Sequence, residues 1–342
     1  MTVGTSDIAK AASQESGLSA VEQIQALVAG DMARVNTLII EKMQSPVALI
    51  PQLAGHLVNS GGKRLRPMLT LASANLLKYS GHHHIELAAC VEFIHTATLL
   101  HDDVVDESKL RRGQDTANEI WGNQASVLVG DFLFSRAFEL MIDTGSLDVL
   151  RILSGASNVI AEGEVLQLTT AGNIETTVDT YLDVIGAKTA ALFAAACEVA
   201  AVVNESDPEV QDRLRTYGDA LGVAFQIVDD VLDYSAEQAT LGKTVGDDFR
   251  EGKMTLPVLH ALDAATDEER GFWRRTLADG EQTEADLEVA LSLLDRHKAL
   301  KSAMAVADEY GTKAKEALAP FDDTAAKQSM TALVDFCLAR GH

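Results

Sequence analysis

Along most of the chain apolar residues recur every three to four positions, and this recurrence predicts one helix after another. A first helix is expected from Ser19 to Met43. Ser45-Pro46 reads as the N-cap and first residue of a second helix, ending near Asn59, because a helix start has no use for the N–H that proline lacks. Gly61-Gly62 breaks the pattern, Pro67 opens a third helix to about Leu77, and Ser80-Gly81 closes it. Further helices are expected over Ile85–Glu107, Gln124–Asp143, Leu147–Leu168, Val178–Val203 and Pro208–Tyr234, with Gly186 marking a kink inside Val178–Val203. Two polar loops interrupt them, Ser108–Asp115 and Ser235–Lys253; Pro257 then starts a set of shorter helices ending near Ala339. No convincing alternating strand and no βαβ pattern is found. Val178–Val203 is apolar on more than one face, as in a helix that is buried or shared with a second subunit. The fold class is therefore all-α: one large helical domain over 18–342, a bundle, preceded by a flexible segment over 1–17.

Composition supports helices over strands. Aromatics are only 5% while Ala and Leu are abundant, and these lose little entropy in a helix. The formal net charge of -23 repels nucleic acid and anionic membrane, so no nucleic-acid partner is expected. Residues 1–17 lack the basic and apolar regions of a signal peptide, and no apolar run reads as a transmembrane segment. Cys90, Cys197 and Cys337 show no metal-ligand spacing and read as buried thiols of a cytoplasmic protein.

Two acidic clusters change the picture. Asp102, Asp103 and Asp106 form one DDxxD; Asp229, Asp230 and Asp233 form another, each within apolar residues. Residues three and four apart share a helix face, so each trio presents its carboxylates together. Carboxylates crowded beside a core repel and lose solvation. Divalent cations relieve that conflict, and hard oxygen ligands suit Mg²⁺, with Mn²⁺ as a substitute. A solvated acidic face explains one such cluster better than two. Against the negative chain stand Lys63, Arg64 and Arg66 near a helix start, and Arg111-Arg112 after the first cluster. Helix N-termini and arginine forks suit phosphate, so these cations read as a diphosphate pocket; Arg64 reads equally well as a surface ion pair.

Taken together, GGKRLRP, DDVVD followed by RRG, GAKTA, FQIVDDVLD and GKTVGDDFREGKMTLP resemble the blocks of the trans-isoprenyl diphosphate synthases, in order, from about Gly61 to Pro257. The resemblance implies a homodimeric all-α fold around a central cavity. It also implies head-to-tail addition of isopentenyl diphosphate to an allylic diphosphate, farnesyl or shorter. The six aspartates would bind Mg²⁺ and the allylic diphosphate, which Arg111 would also contact. Lys63, Arg66, His95 and Arg112 would hold isopentenyl diphosphate. Lys188, Thr189 and Gln226 match positions near the reacting carbon, with Lys188 read as an ion pair to diphosphate. Lys243 and Lys253 match lysines that meet the diphosphate on closure.

Ala97, five positions before the first aspartate, and Thr98 lie about one turn below the metals. Short-chain relatives carry bulky aromatics at the Ala97 position, so a small residue implies a long product, octaprenyl to decaprenyl, as for a ubiquinone side chain. A small residue at a helix crossing explains Ala97 equally simply. Short-chain synthases, class I terpene cyclases and non-catalytic subunits of heteromeric synthases are the alternatives. The second DDxxD and the cation set oppose the cyclase, and the intact acidic motifs oppose the subunit.

Overall fold

The computed structural model describes residues 19–59, 62–111, 113–235 and 245–341. The 1–17 segment, Gly61, Arg112 and Lys243 lie outside the described residues. The fold is all-α, as expected, apart from one very short hairpin.

Ser19 and Glu22 exchange side-chain-to-backbone hydrogen bonds, a capping box that starts α1 (Ala20–Lys42). α2 (Leu49–Asn59) begins later than expected. Ser45 Oγ accepts the Val47 N–H at 3.1 Å, so Ser45-Pro46 makes a local turn rather than a helix start. α3 (Leu65–Leu76) begins two residues before Pro67, which sits buried in its first turn. α4 spans His83–Val105. The expected loop after it holds strands β1 (Leu110–Arg111) and β2 (Gln114–Asp115), paired antiparallel around Gly113 at φ +76°. α5 (Ala117–Trp121), α6 (Asn123–Asp143) and α7 (Leu147–Thr170) follow.

Next come α8 (Val178–Ile185), a π-helical turn (Gly186–Ala190), α9 (Ala191–Val203) and α10 (Pro208–Asp233). The kink expected at Gly186 is thus a π turn, in which the i→i−4 ladder is locally replaced. The stretch Val178–Val203 is long and apolar enough to cross a membrane, with hydropathy 1.6, but 72% of its most apolar window is buried in the protein's own interior. The chain closes with α11 (Asp247–Arg250), α12 (Leu256–Asp263), α13 (Asp267–Trp273) with a π turn (Arg274–Ala278), α14 (Asp286–Arg296), α15 (Ala299–Leu318) and α16 (Ala325–Ala339).

The described residues gather into two compact units, one from Met1–Ser157, Ala195–Arg215 and Phe321–Met330, the other from Asn158–Ala194, Thr216–Pro320 and Thr331–His342. In the first, α4 packs on α1, α3 and α6. Its Leu87, Ala88, Cys90, Val91, Ile94, Ala97 and Leu100 are fully buried. Small residues let α6 come close: a Cβ on Gly130 would lie 2.3 Å from His101 Nε2. In the second, α12 packs on α15, α14, α13 and α8. Phe249 of α11 meets the fully buried Trp273 edge-on, ring centroids 6.2 Å apart, which fixes the short α11 and its acidic residues.

Candidate active site

Both aspartate trios occupy the last turns of long helices, α4 and α10. A helix C-terminus carries partial negative charge, so it is the wrong end for three carboxylates and a natural place for a cation. In the first unit Asp103 is 1% exposed and takes Arg111 Nε at 2.9 Å and Nη2 at 2.7 Å, both on Oδ1. Arg111, at the end of β1, is thus paired with the buried aspartate of the trio. Asp102 is half-buried, and Asp106, the C-cap of α4, is exposed.

The cations before α3 divide. Arg66 Nη1 lies 3.1 Å from His95 Nε2, which brings together two of the residues expected to hold isopentenyl diphosphate. Arg64 turns away to Asn36 and to Glu92 at 3.8 Å, the surface-pair reading of that residue. Lys63 is exposed. Ala97 is fully buried, and Thr98 donates its hydroxyl to the His95 carbonyl at 2.8 Å.

In the second unit a ladder of residues four apart builds the site. Gly218, Gly222, Gln226 and Asp230 share one face of α10. A Cβ on Gly218 would sit 2.3 Å from the Phe193 carbonyl oxygen, and one on Gly222 2.6 Å from Ala190 Cα. The glycines therefore let α10 close onto the π turn and the start of α9. Thr189 Oγ1 then donates to Gln226 Oε1 at 2.9 Å, Gln226 Nε2 to Asp230 Oδ1 at 2.8 Å, and the Tyr181 hydroxyl to Asp230 Oδ2 at 2.6 Å. Asp233 accepts the N–H groups of Asp247 and Asp248. Asp229 meets Arg340 at 3.0 Å. Lys188 sits on Glu164 at 2.8 Å, because Gly163 packs its helix directly against Ala187. Lys253 lies 2.5 Å from Glu251 and 3.5 Å from Asp248.

Charge balance in this unit is strained. Burial first, and repulsion from Asp248 second, push the Asp233 carboxyl up to about 7. The same two causes, in the same order, raise Asp230; burial raises Asp248 most, offset in part by Lys253. Four neighbouring carboxylates with so little positive charge fit a hard divalent cation. Among the described residues the one group of three imidazole or acidic donors gathered within 4.8 Å is elsewhere, His82, His83 and Glu86, where the N-terminal potential of α4 opposes a cation. Oxygens of Asp103, Asp229, Asp230 and Asp233 are instead engaged by protein partners that a metal would displace.

The polyprenyl synthetase family model matches residues 47–294. The chain belongs to the polyprenyl synthetase family. It is 46% identical over 320 residues to the octaprenyl diphosphate synthase of Escherichia coli K12, covering 94% of this chain and 99% of that protein. Among solved structures, a decaprenyl diphosphate synthase from Rhodobacter capsulatus superposes with a TM-score of 0.92 at 52% identity, over 94% of this chain and 99% of that one. A polyprenyl synthase from Caulobacter crescentus CB15, complexed with calcium and isoprenyl diphosphate, gives a TM-score of 0.89 at 52% identity, over 93% and 97%. This polyprenyl synthetase is accordingly a prenyltransferase.

Sequence reasoning missed four residues of the synthetase that touch the predicted ones: Tyr181, Glu164, Asp248 and Arg340. The glycine pattern signals where helices come close, though not which side chains use the contact. Gly218 and Gly222 in register with Gln226 and Asp230 announce a close helix contact, and Gly163 next to Glu164 announces another. Nothing local points to Arg340, which is 111 positions from Asp229 in the sequence.

Proposed function

We propose that this synthetase condenses isopentenyl diphosphate with an allylic diphosphate, farnesyl or shorter, head to tail and trans, to a long-chain product in the octaprenyl to decaprenyl range. A ubiquinone side chain is the use that fits such a product. The observation that carries the reading is the pair of aspartate trios at helix C-termini, in a chain similar throughout its length to octaprenyl and decaprenyl synthases.

Asp102, Asp103, Asp106, Asp229, Asp230 and Asp233 are the proposed Mg²⁺ ligands, with Mn²⁺ as a substitute; calcium with isoprenyl diphosphate in the Caulobacter relative supports a divalent ion and a diphosphate. Bound magnesium supplies positive charge against the leaving diphosphate. Arg111, Lys243 and Lys253 donate to phosphate oxygens of the allylic substrate, and Lys188 does so by exchanging Glu164 for phosphate. Lys63, Arg66, His95 and Arg112 hold the isopentenyl diphosphate. Thr189 and Gln226 face the developing allylic cation. No protein nucleophile is needed, because the isopentenyl double bond attacks and the proton lost goes to the departing diphosphate.

The buried state of all three cysteines, none in a disulfide, is what a reducing cytoplasm maintains. Exposed Val127, Leu128, Phe138 and Ile142 lie along one face of α6, and this apolar stripe supports a homodimer. Purified protein is to be incubated with labelled isopentenyl diphosphate, Mg²⁺ and geranyl or farnesyl diphosphate, and the dephosphorylated products sized. Products of eight to ten isoprene units are expected; products ending at three or four units overturn the long-chain reading. Ala97→Phe should shorten the products. Because Ala97 is fully buried, it should also cost about 1–3 kcal/mol of stability through overpacking.

A further inference from the structure

The start of α4 gathers a set of donors that prenyl transfer does not use. His82 is the N-cap of the helix, His83 its first residue, and Glu86 stands in its first turn. Glu86 is four positions after His82 and three after His83, so one carboxylate shares a helix face with both imidazoles. One ring nitrogen from each histidine and a Glu86 oxygen lie within 4.8 Å of one another. His83 Nδ1 donates to Glu86 Oε2 at 2.6 Å, and the His82 and His83 ring centroids are 4.3 Å apart.

The third imidazole of the run goes elsewhere and steadies the other two. His84 is buried, with its Nε2 3.3 Å from Asp31 of α1 and its ring edge-on to Tyr79, centroids 5.4 Å apart. The first turn of α4 is thereby tied to α1, while His82, His83 and Glu86 stay open to solvent in whole or in part. Donors carried by an anchored helix make a more precise site than donors on a loop.

Two imidazole nitrogens and a carboxylate oxygen suit a divalent metal of borderline softness better than they suit Mg²⁺. A tetrahedral zinc ion with bonds of about 2.1 Å holds its donors about 3.4 Å apart. Rotation of the solvent-facing side chains closes the 4.8 Å spread to that figure, and the metal replaces the proton between His83 and Glu86. The positive potential at a helix start, which opposes a cation held by charge alone, weakens such a site only about two- to fivefold. The Glu86 carboxylate offsets part of that loss.

We propose that His82, His83 and Glu86 bind one Zn²⁺ ion, with water in its fourth position, in a site that shares no ligand with the aspartate trios. The metal joins the α3–α4 connection to the first turn of α4. Mg²⁺, which prefers carboxylates and water, leaves the imidazoles to zinc. The site stands whether or not the prenyl-transfer reading holds.

The test is calorimetry of the full chain in excess Mg²⁺ with Zn²⁺ as titrant. It compares wild type with His82→Ala, His83→Ala and Glu86→Gln, and with Asp102→Ala as a control. Wild type should take up a zinc ion that each of the first three variants binds at least about 10-fold more weakly, since losing even a group behind a ligand costs about 10–100-fold. D102A should bind it as wild type does. Zinc should raise the thermal midpoint of wild type but not of H83A, because a metal held only by the folded chain stabilises it. Turnover with Mg²⁺ and no zinc should stay within about twofold of wild type in H82A, H83A and E86Q, as for residues outside the transition-state contacts. Unchanged zinc affinity in those three, or its loss in D102A, overturns the proposal. Where a variant fails to fold, the ring ¹⁵N signals of His82 and His83 in wild type decide: both should shift on adding Zn²⁺, and unmoved signals overturn the site.

Discussion

The two aspartate trios are nearly the same text, DDVVD and DDVLD, in very different surroundings. The first is neutralised from close by. Arg111, eight positions after Asp103, folds back from a hairpin onto a carboxylate that is 1% exposed, and Asp106 stays in water. The second draws its partners from distant stretches of sequence: Tyr181, the α11 backbone and Arg340. It also gains a further carboxylate, Asp248, and stays short of positive charge, so Asp230 and Asp233 hold protons more tightly than usual. A motif fixes the spacing of ligands along a helix. The neighbours decide how badly those ligands need a cation.

The largest effects should treat the trios as equals. Asp102→Ala and Asp229→Ala are each expected to lower turnover on the order of 1,000-fold, the several kcal/mol that metal charge supplies to the transition state. Incorporation of labelled isopentenyl diphosphate at saturating Mg²⁺ checks this. A small loss at Asp229 with a large one at Asp102 would break the equivalence.

Stability without metal should separate them. Asp103→Asn deprives Arg111 of a buried charged partner and should cost about 1–3 kcal/mol, a range reduced because the arginine is 32% exposed. Asp230→Asn removes one of several repelling carboxylates and should leave the metal-free protein as stable or more so. Urea unfolding with a chelator, at pH 8, reads both, and losses of equal size would erase the contrast.

The pH dependence follows from the same strain. Asp233 titrates near 7 in the folded protein, pushed up by burial and then by Asp248, against about 3.9 for an ordinary aspartate. Between those values the folded state binds more protons than the unfolded one. The stability this provides is present at low pH and lost as pH rises toward and through 7. The metal-free thermal midpoint should therefore fall from pH 5 to 8 by less in Asp233→Asn than in wild type, and Mg²⁺ should flatten the wild-type curve. An identical slope in the two proteins would show that Asp233 is not strained.

How much of this could be read from sequence depends on the range of the interaction. Helix periods and caps are local, so Ser19 and the run from His83 to Val105 fall within two residues of expectation. Ser45-Pro46 failed because a serine can cap a two-residue turn as easily as a helix, and only the following residues decide. The spacing within each trio was legible in the sequence; the contact between Arg66 and His95 was not, although family resemblance had singled out both residues. Glu164 and Tyr181 were not, since a lone Glu or Tyr carries no motif. Their roles exist only where glycines bring two helices close enough for one side chain to reach the next.

Arg340 gives the smallest effect and the finest probe of the second trio. Its guanidinium holds Asp229 at 3.0 Å and lies over the Phe225 ring, 5.6 Å from the centroid. Asp229 is 38% exposed, so the pair is screened and worth about 0.5–1 kcal/mol. A metal that takes Asp229 must first displace this arginine. Arg340→Ala should therefore tighten Mg²⁺ binding by about two- to fivefold in calorimetry on the full chain with Mg²⁺ alone. Arg340→Lys, which keeps the charge without the planar fork, should fall between. Weaker binding in Arg340→Ala would mean that the arginine orients Asp229 for the cation, and the second trio would then resemble the first, with a built-in partner that helps its metal instead of standing in for it.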